Sequence, residues 1–247
     1  METKFLIPYI SNWILDYSKN ILNQPVSLVI GVSGGIDSAV TSALCAKTNL
    51  KTIVVSMPIK QNSQQHDLSI KHIEWLKKNF DNVSSYTIDL NEVFDSFQNT
   101  LKYFNSELAF ANSRSRLRMV TLYQIAQSNN GLVVGTGNKV EDFGIGFYTK
   151  YGDGGVDISP IADCTKTQVW NIGKQLNILE EIIEAKPTDG LWDDNRNDEE
   201  QIGLSYEQIE DAMNNPNSKY YVKYDKIRKP NLHKMNPIPI CKIKDNQ

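Results

Sequence analysis

Residues 27–38 read Ser27-Leu-Val-Ile-Gly-Val32 and then Ser33-Gly-Gly-Ile-Asp-Ser38. The apolar run 26–32 predicts a buried β-strand, and the two glycines after Ser33 predict a tight turn that opens a helix near Ser38. In such a turn the backbone N–H groups converge at the positive end of the helix, which favours an anion. The stretch therefore predicts an α/β fold with a phosphate-binding loop.

The loop lacks the lysine that follows the glycines of a Walker A motif. It carries Asp37 and two hydroxyl groups, from Ser33 and Ser38, instead. A carboxylate repels bound phosphates unless a hard cation such as Mg2+ lies between them. The sequence thus predicts a pyrophosphate site made of backbone amides, hydroxyl groups and an aspartate-held magnesium ion. A glycine-rich turn without a ligand is the alternative, and the full set of strand, glycines, aspartate and serines argues against it.

Composition restricts the class of protein. The 247 residues are 40% hydrophobic and carry a net charge of −3, so we expect one domain spanning 1–247 with a substantial core. No apolar stretch is long enough for a membrane span, and no block of Lys and Arg indicates a nucleic-acid partner. Three widely separated cysteines and the absence of a signal-peptide pattern favour a cytoplasmic location.

Strand and helix patterns alternate along the chain and predict a doubly wound, mainly parallel sheet flanked by helices. Ligands of such sheets bind at the carboxyl ends of the strands. We expect strands at 26–32, 52–57, 85–90 and 131–135, and helices at 4–22, 65–80, 91–103, 112–128, 167–176 and 205–213.

We also predict the structure of three further parts of the chain. The acidic segment 187–203 is either a solvated loop or a mobile lid that becomes ordered when ligands bind. The tail from Pro230 is expected to be irregular, and His66 and His72 are expected on an exposed helix face.

A second glycine-rich block follows the fourth predicted strand. Residues 135–157 contain seven glycines, interleaved with polar and charged side chains. Each polar residue alone is typical of a loop, but together, at the end of a strand beside the phosphate loop, they indicate a ligand site. The interleaved residues are Thr136, Glu141, Lys150, Asp153 and Asp157.

The loop Ser33–Ser38 resembles the SGGxDS pyrophosphate loop of the ATP pyrophosphatases, and 135–157 closely resembles the NAD synthetases. The pattern of that family is GTxxxxE, GxxTKxGDGGxD, a proline and a Thr-Lys pair, which here are Pro160 and Thr165-Lys166. The resemblance spans 31 to 234. It implies an adenine-nucleotide α-hydrolase-like fold and the amidation of deamido-NAD to NAD by ATP and ammonia, through an acyl-adenylate, with release of AMP and pyrophosphate.

The resemblance also implies roles for individual residues. Asp37 and Glu141 would bind Mg2+, and Lys166 would stabilise the departing pyrophosphate. We add Asp153 as the candidate that holds or deprotonates ammonium. The implied ATP contacts are Gly31, Val32, Ser33, Gly34, Gly35, Ile36, Asp37, Ser38, Thr136, Lys166 and Thr188, and the implied deamido-NAD contacts are Arg116, Lys150, Asp157, His233 and Lys234.

Two departures from the family pattern bear on these roles. Some relatives have Arg-Leu-Pro where this chain has Ser56-Met57-Pro58, and this chain is one residue longer between Glu141 and Lys150. Which of Arg114, Arg116 and Arg118 faces a ligand stays open, because at a spacing of two residues they cannot all share one helix face.

Other interpretations remain. The chain could be another pyrophosphate-loop enzyme, such as a GMP synthetase ATP domain or a tRNA-thiolating enzyme, or a nucleotide sensor without turnover. We expect no glutaminase domain, and therefore free ammonia as the nitrogen source. The resemblance implies a homodimer, and we expect surplus apolar residues on the first helix and on 112–128 to form its interface.

Overall fold

Four parallel strands form the sheet, in the order β3-β2-β1-β4. The protein is represented by a computed structural model that describes residues 2–21, 26–61, 63–188 and 197–243. The strands are β1 (Ser27–Gly31), β2 (Thr52–Ser56), β3 (Val83–Thr87) and β4 (Gly131–Val133). The helices are α1 (Thr3–Ile21), α2 (Ile36–Ala46), α3 (Ser63–Asn79), α4 (Asn91–Thr100), α5 (Glu107–Ser128), a π-helix (Lys139–Ile145), α6 (Lys166–Gln175), α7 (Glu180–Glu184), α8 (Asp198–Ile202), α9 (Tyr206–Asn214) and α10 (Tyr221–Met235). The predicted doubly wound, parallel α/β fold is confirmed.

Both faces of the sheet are covered, as its apolar strands require. Leu28 and Ile30 of β1 pack into one core cluster, whose other members include residues of α1, α2, α6 and α7. Val29, between them in sequence, packs into a second cluster with Phe94 of α4 and Ala126 of α5. The alternation of side chains along the strand therefore divides the helices between the two faces. The loop after β1 consequently starts from a strand that is fixed on both sides.

A third apolar cluster lies beside the carboxyl edge of the sheet. It joins Val140 and Ile145 of the π-helix to residues of α8, α9 and α10. Ile209 and Tyr224 belong to it, and Tyr206 is only 2% exposed at its centre. This cluster positions the C-terminal helices next to the end of β1.

The π-helix Lys139–Ile145 lies in the glycine-rich block that follows β4. A π-turn closes hydrogen bonds from residue i to i+5 and so accommodates one more residue per turn than an α-helix. Asn138 caps it, because its side-chain oxygen accepts hydrogen bonds from the N–H groups of Val140 and Glu141, both at 3.0 Å. These two hydrogen bonds fix the start of the π-helix.

The third strand begins earlier than predicted. The pattern favoured 85–90, whereas β3 runs from Val83 to Thr87, in register with β2 from Thr52 to Ser56. Backbone pairing with β2 determines these limits, since the strand is only partly buried. Serines in an edge strand give little of the apolar signal on which the prediction depended.

The prediction of an irregular tail from Pro230 is wrong for residues 230–235 and confirmed for the described residues 236–243, which form no helix or strand. Helix α10 runs from Tyr221 to Met235 with Pro230 inside it. Contacts on the C-terminal side of the proline hold this last turn: Nδ2 of Asn231 donates to the carbonyl of Ile145 at 2.9 Å, and Nζ of Lys234 donates to that of Tyr148 at 2.9 Å. Tertiary hydrogen bonds here outweigh the loss of one helical N–H.

Part of the predicted lid is helical. Helix α8 covers Asp198–Ile202 and begins with a capping box between Asn197 and Glu200. Residues 189–196 lie outside the described part of the chain, so the expected ordering of 187–203 on ligand binding stays a prediction. Within the described ranges, no helix combines the length and the apolar character that crossing a bilayer requires.

The predicted surplus of apolar residues is present on α1, where Phe5, Tyr9, Trp13 and Ile21 are 41% to 60% exposed, and on α5, where Val120 is 58% exposed. Tyr17 packs against the first core cluster, and Leu122 and Tyr123 pack against the second. Trp13 is 41% exposed and stacks on Tyr17 with 5.5 Å between ring centroids. Tyr17, Leu122 and Tyr123 thus cover the sheet, and a homodimer interface formed by the exposed apolar side chains stays a prediction.

His72 is fully buried between α3 and α2, so its predicted surface position is wrong. Its Nε2 lies 2.9 Å from Oγ of Ser42, and its ring stacks on Trp75. Burial lowers the pKa of His72 from 6.5 to about 4, and a hydrogen bond with the backbone of Ala39 opposes this shift.

We expect this histidine to make the fold sensitive to mild acid. The unfolded chain takes up the proton near pH 6.5 and the folded chain only near pH 4, so stability is lost as the pH falls between these values, by about 2 kcal/mol at pH 5. Urea unfolding between pH 7 and pH 5 measures it. His72→Leu should flatten the dependence and the control His66→Gln should keep it; equal slopes for both variants would contradict the assignment.

Candidate active site

The loop after β1 is held by its own hydroxyl groups. Oγ of Ser38 donates to the carbonyl of Gly35 at 2.9 Å and accepts from the N–H of Ser33 at 3.2 Å. The N–H of Gly35 in turn donates to Oγ of Ser33 at 3.2 Å. These bonds fold the loop back on the start of α2, where Gly35 is an N-cap without a side-chain hydrogen bond. The first amides of α2 are thus available to an anion.

Gly34 is the residue on which this loop geometry depends. Its φ is +95°, and a Cβ atom there would lie 2.5 Å from the backbone carbonyl oxygen of Gln65 in α3. Only glycine combines this backbone conformation with so close an approach. The loop is therefore pressed against α3 and cannot relax away from it.

A cavity of about 570 Å³ opens at the carboxyl edge of the sheet, in front of this loop. Its wall includes all eleven residues implied as ATP contacts: 31–38 together with Thr136, Lys166 and Thr188. Glu141 and Asp153 also line it. Residues that are more than a hundred positions apart in sequence therefore meet in one cavity of a volume ordinary for small-molecule sites.

Lys166 joins the two carboxylates that were predicted to bind magnesium. Its side chain is 1% exposed, and its Nζ lies 2.5 Å from Oδ2 of Asp37 and 2.9 Å from Oε1 of Glu141. The lysine is the first residue of α6, which Thr165 caps in a capping box with Gln168. The buried ammonium thus connects the phosphate loop, the π-helix and α6.

The charges of this cluster do not fully compensate one another. Burial acts to lower the pKa of Lys166, but Asp37 and Glu141 outweigh it, so the net direction is upward and the ammonium stays charged. Burial acts to raise the pKa of Glu141, whereas Lys166 and Tyr206 lower it, with a net fall. Burial raises the pKa of Asp37, and Glu141 adds to this rise. One ammonium is therefore shared by two carboxylates.

This arrangement fits a bound magnesium ion. No group of three or more His, Cys, Asp or Glu side chains suited to a metal occurs within the described ranges. Mg2+ is usually held by one or two carboxylates together with substrate phosphates, and Asp37 and Glu141 supply two carboxylates beside the phosphate loop. Because these two carboxylates share a single ammonium, a further cation beside them is electrostatically favourable.

Asp142 and Asp153 add two more carboxyl groups to the wall. A Cβ atom on Gly137 would lie 1.8 Å from Oδ2 of Asp142, so that glycine makes room for the carboxylate. Burial, with the charges of Asp153 and Glu141, raises the pKa of Asp142 well above its usual range.

Asp153 is oriented by two donors. Its Oδ1 accepts a hydrogen bond from Oγ of Ser115 at 2.7 Å and another from the N–H of Thr149 at 3.0 Å. The residue is open to the cavity, yet the protein atoms packed around its carboxylate displace water and raise its pKa, while these two hydrogen bonds oppose the rise. The carboxylate is thus presented to the cavity in a fixed orientation.

Of the three arginines of α5, Arg118 faces the cavity. Its Nε donates to the carbonyl of Met57 at 3.0 Å, directly after the end of β2. Burial lowers the pKa of Arg118 to about 10, with a further contribution from Arg114. Arg116 is exposed, and its Nε donates to the carbonyl of Lys150 at 3.3 Å.

The implied deamido-NAD contacts do not all meet in the cavity. Within the described ranges, Lys234 lines it, while Arg116, Lys150, Asp157 and His233 do not. Nζ of Lys150 donates to the carbonyl of His233 at 3.2 Å. Asp157 accepts from the N–H of Val133 at 2.8 Å and from the hydroxyl of Tyr123 at 3.1 Å.

The family model described as NAD synthase matches residues 6–242. The chain belongs to the NAD synthase family. The predicted resemblance to the NAD synthetases is thereby confirmed.

Curated relatives agree with this membership. An NH(3)-dependent NAD(+) synthetase of Mesoplasma florum is 35% identical over 244 residues, which cover 96% of this chain and 96% of that protein. A protein of the same name from Finegoldia magna is 38% identical over 208 residues, covering 83% of each chain.

Solved structures share the fold. The structure of NMN synthetase from Francisella tularensis superposes with a TM-score of 0.90 at 31% identity, over 98% of this chain and 100% of that one. An NH3-dependent NAD synthetase of Campylobacter jejuni, solved with a nitrate ion, superposes with a TM-score of 0.78 at 22% identity, over 98% of this chain and 100% of that one.

Sequence reasoning missed several residues of this NAD synthase site. The Asn138–Glu141 spacing is that of a helix cap, and it could have indicated the start of a helix. Asp142 stands next to a predicted ligand, which is the signal that could have indicated it. The sequence leaves open which of Arg114, Arg116 and Arg118 faces a ligand, and Tyr206 carries no local pattern, since only the tertiary fold brings it to the site.

The close approach at Gly34 leads to a paired test. Gly34→Ala should destabilise the fold by about 2 to 4 kcal/mol, because a methyl group meets both a left-handed φ and a backbone oxygen. Gly35→Ala is the matched control, since its Cβ would have only Oγ of Ser33 nearby, at 3.5 Å. Urea unfolding of both variants measures the difference, and equal stability losses would contradict the packing of the loop against α3.

Proposed function

We propose that this chain catalyses the ATP-dependent amidation of deamido-NAD to NAD with ammonia, releasing AMP and pyrophosphate. The observation that carries the proposal is the meeting of the phosphate loop, Lys166 and Asp153 in one cavity of an NAD synthase family member. An ATP site and a carboxylate suited to ammonium are what an amide-forming ligase of this kind needs.

The first step activates the nicotinate carboxylate. One of its oxygens attacks the α-phosphorus of ATP, the bond to the β-phosphate oxygen breaks, and an acyl-adenylate and pyrophosphate form. The amides of 33–38 would bind the phosphates. The ammonium of Lys166 would stabilise the charge that develops on the leaving pyrophosphate, in a cavity where its charge is little screened. Catalysis here is mainly positioning and charge neutralisation.

Asp37 and Glu141 would hold the magnesium ion in this proposal. When bound, Mg2+ neutralises phosphate charge. In the protein, both carboxylates form ion pairs with the ammonium of Lys166. These ion pairs limit the repulsion between the carboxylates and the incoming phosphates.

The second step forms the amide. Ammonia attacks the activated carbonyl carbon, and AMP leaves with the electron pair of the broken C–O bond. Ammonium must lose a proton first, and Asp153 is our candidate to bind it and accept that proton. Its raised pKa and its two fixed hydrogen bonds support this role, since a general base works best when its pKa approaches the working pH.

A shorter acceptor is a second candidate substrate. The NMN synthetase of Francisella tularensis superposes over this whole fold with a TM-score of 0.90. Nicotinate mononucleotide carries the same carboxylate as deamido-NAD but lacks the adenylate half, and its amidation would give NMN. The position of Arg116 and Lys150 outside the cavity favours an acceptor that does not need them.

We further infer from family resemblance that the enzyme is a homodimer, acts as one domain in the cytoplasm, and takes its nitrogen from free ammonia. Light scattering at micromolar concentration tests the first point.

The reaction is tested by omission. We expect AMP release from ATP only when an acceptor, ammonia and magnesium are all present, because activation and amidation occur in one cavity. Deamido-NAD and nicotinate mononucleotide are compared as acceptors by kcat/KM. AMP release without either acceptor would contradict the proposal, and a higher kcat/KM for the mononucleotide would identify the shorter substrate.

Lys166→Met removes the shared ammonium. We expect kcat to fall by at least about a hundredfold, while KM for the acceptor changes little, because the charge stabilises the leaving pyrophosphate. Quenched-flow measurement of pyrophosphate formation separates the two effects. Lys78→Met, on the exposed end of α3, is the control. An effect confined to acceptor KM would mean that Lys166 belongs to the acceptor site.

A further inference from the structure

Tyr206 lies behind the cavity wall and contacts one of its carboxylates. It is the first residue of α9, and its hydroxyl lies 2.6 Å from Oε1 of Glu141 and 3.1 Å from Oδ2 of Asp198. Tyr206 does not line the cavity in the described part of the chain. It therefore has no direct access to a ligand and can act only through its neighbours.

The oxygen that Tyr206 contacts is the one that Lys166 also uses. Oε1 of Glu141 accepts from Nζ of Lys166 at 2.9 Å and from the hydroxyl of Tyr206 at 2.6 Å. The ring of Tyr206 also faces the same ammonium, with Nζ 5.0 Å from its centroid. Two donors on one carboxylate oxygen restrict its rotation, and an aromatic face adds attraction for the cation.

The phenol is itself held firmly. The ring of Trp170 meets it edge-on, with centroids 5.7 Å apart and an interplanar angle of 88°. The backbone N–H of Tyr206 donates to Oε1 of Glu199 at 2.9 Å, and Ser205 caps α9 together with Gln208. A phenol is protonated at neutral pH, so its hydroxyl is the donor in the short contact with Glu141. Packing in the third apolar cluster thus orients the hydroxyl of Tyr206 toward Glu141.

We propose that Tyr206 is a positioning residue for the reaction: its hydroxyl fixes Glu141, and through Glu141 it fixes the ammonium of Lys166 in front of the phosphate loop. The inference rests on the proposed function for its effect on turnover, but the positioning of Lys166 affects ATP binding whichever acceptor is used. A residue of the C-terminal helices thereby controls a group that the ATP site requires.

Tyr206→Phe removes the hydroxyl and keeps the ring. We expect kcat to fall about tenfold, as for one hydrogen bond to a charged group, with little change in acceptor KM, and ATP affinity to weaken. Tyr224→Phe is the matched control: Tyr224 belongs to the same apolar cluster and is also buried, but Glu141 has no hydrogen bond with it. If the two variants have similar melting temperatures, the lower kcat of Tyr206→Phe reflects the lost positioning of Glu141 and not a general loss of packing.

A double-mutant cycle on ATP affinity tests whether Tyr206 acts through Glu141. In the Glu141→Gln background, Tyr206→Phe should change the dissociation constant for ATP, measured by calorimetry, by less than about twofold. A change of that size lies within the usual error of additivity, so it would mean that Tyr206 acts through Glu141. An effect as large as in the wild type would overturn the proposal, as would unchanged kcat and ATP affinity in Tyr206→Phe alone. A wild-type protein that binds ATP without amidating either acceptor would contradict the proposed function, and the cycle would still decide the role of Tyr206.

Discussion

The buried ammonium of Lys166 is the interaction on which the site depends. Removing a charge from water is costly, and a buried charge is stable only when partners with good geometry compensate it. Lys166 is 1% exposed and has Asp37 and Glu141 as ion-pair partners. These three residues come from α2, the π-helix and α6, so displacing any of these elements would leave an uncompensated charge. The electrostatic requirement therefore fixes the relative positions of three elements that are distant in sequence.

The sheet supplies the frame for this cluster. β1 is buried on both faces, and the loop after it is pressed against α3 at Gly34, where no side chain fits. Carboxyl ends of parallel strands meet at one edge, so the loop and the segment after β4 converge there. The third apolar cluster then closes the opposite side and brings Tyr206 against Glu141. Packing on both sides therefore holds the shape of the cavity.

Local patterns account for the part of the structure that the sequence predicted. The parallel sheet, the turn at Ser33–Ser38 and the residues that line the cavity beside it all follow from periodicity, glycine spacing and family motifs. The misses have a different origin. Tyr206 and His72 read as ordinary helix residues, because their partners Glu141 and Ser42 come from other elements. Tertiary hydrogen bonds also stabilise the part of α10 that follows Pro230, where helix propensity alone predicts that the helix ends.

The acceptor side of the cavity follows from the same contacts. Lys234 lines the cavity, whereas Lys150 and Arg116 lie outside it and are bonded to the carbonyls of His233 and Lys150. Basic groups held in this way form an ordered surface that continues outward from Lys234. We propose that an acceptor contacts that surface only where it extends beyond the cavity, as a dinucleotide would and a mononucleotide would not. On that proposal the length of the acceptor, more than the chemistry at its carboxylate, decides which of these residues contribute to binding.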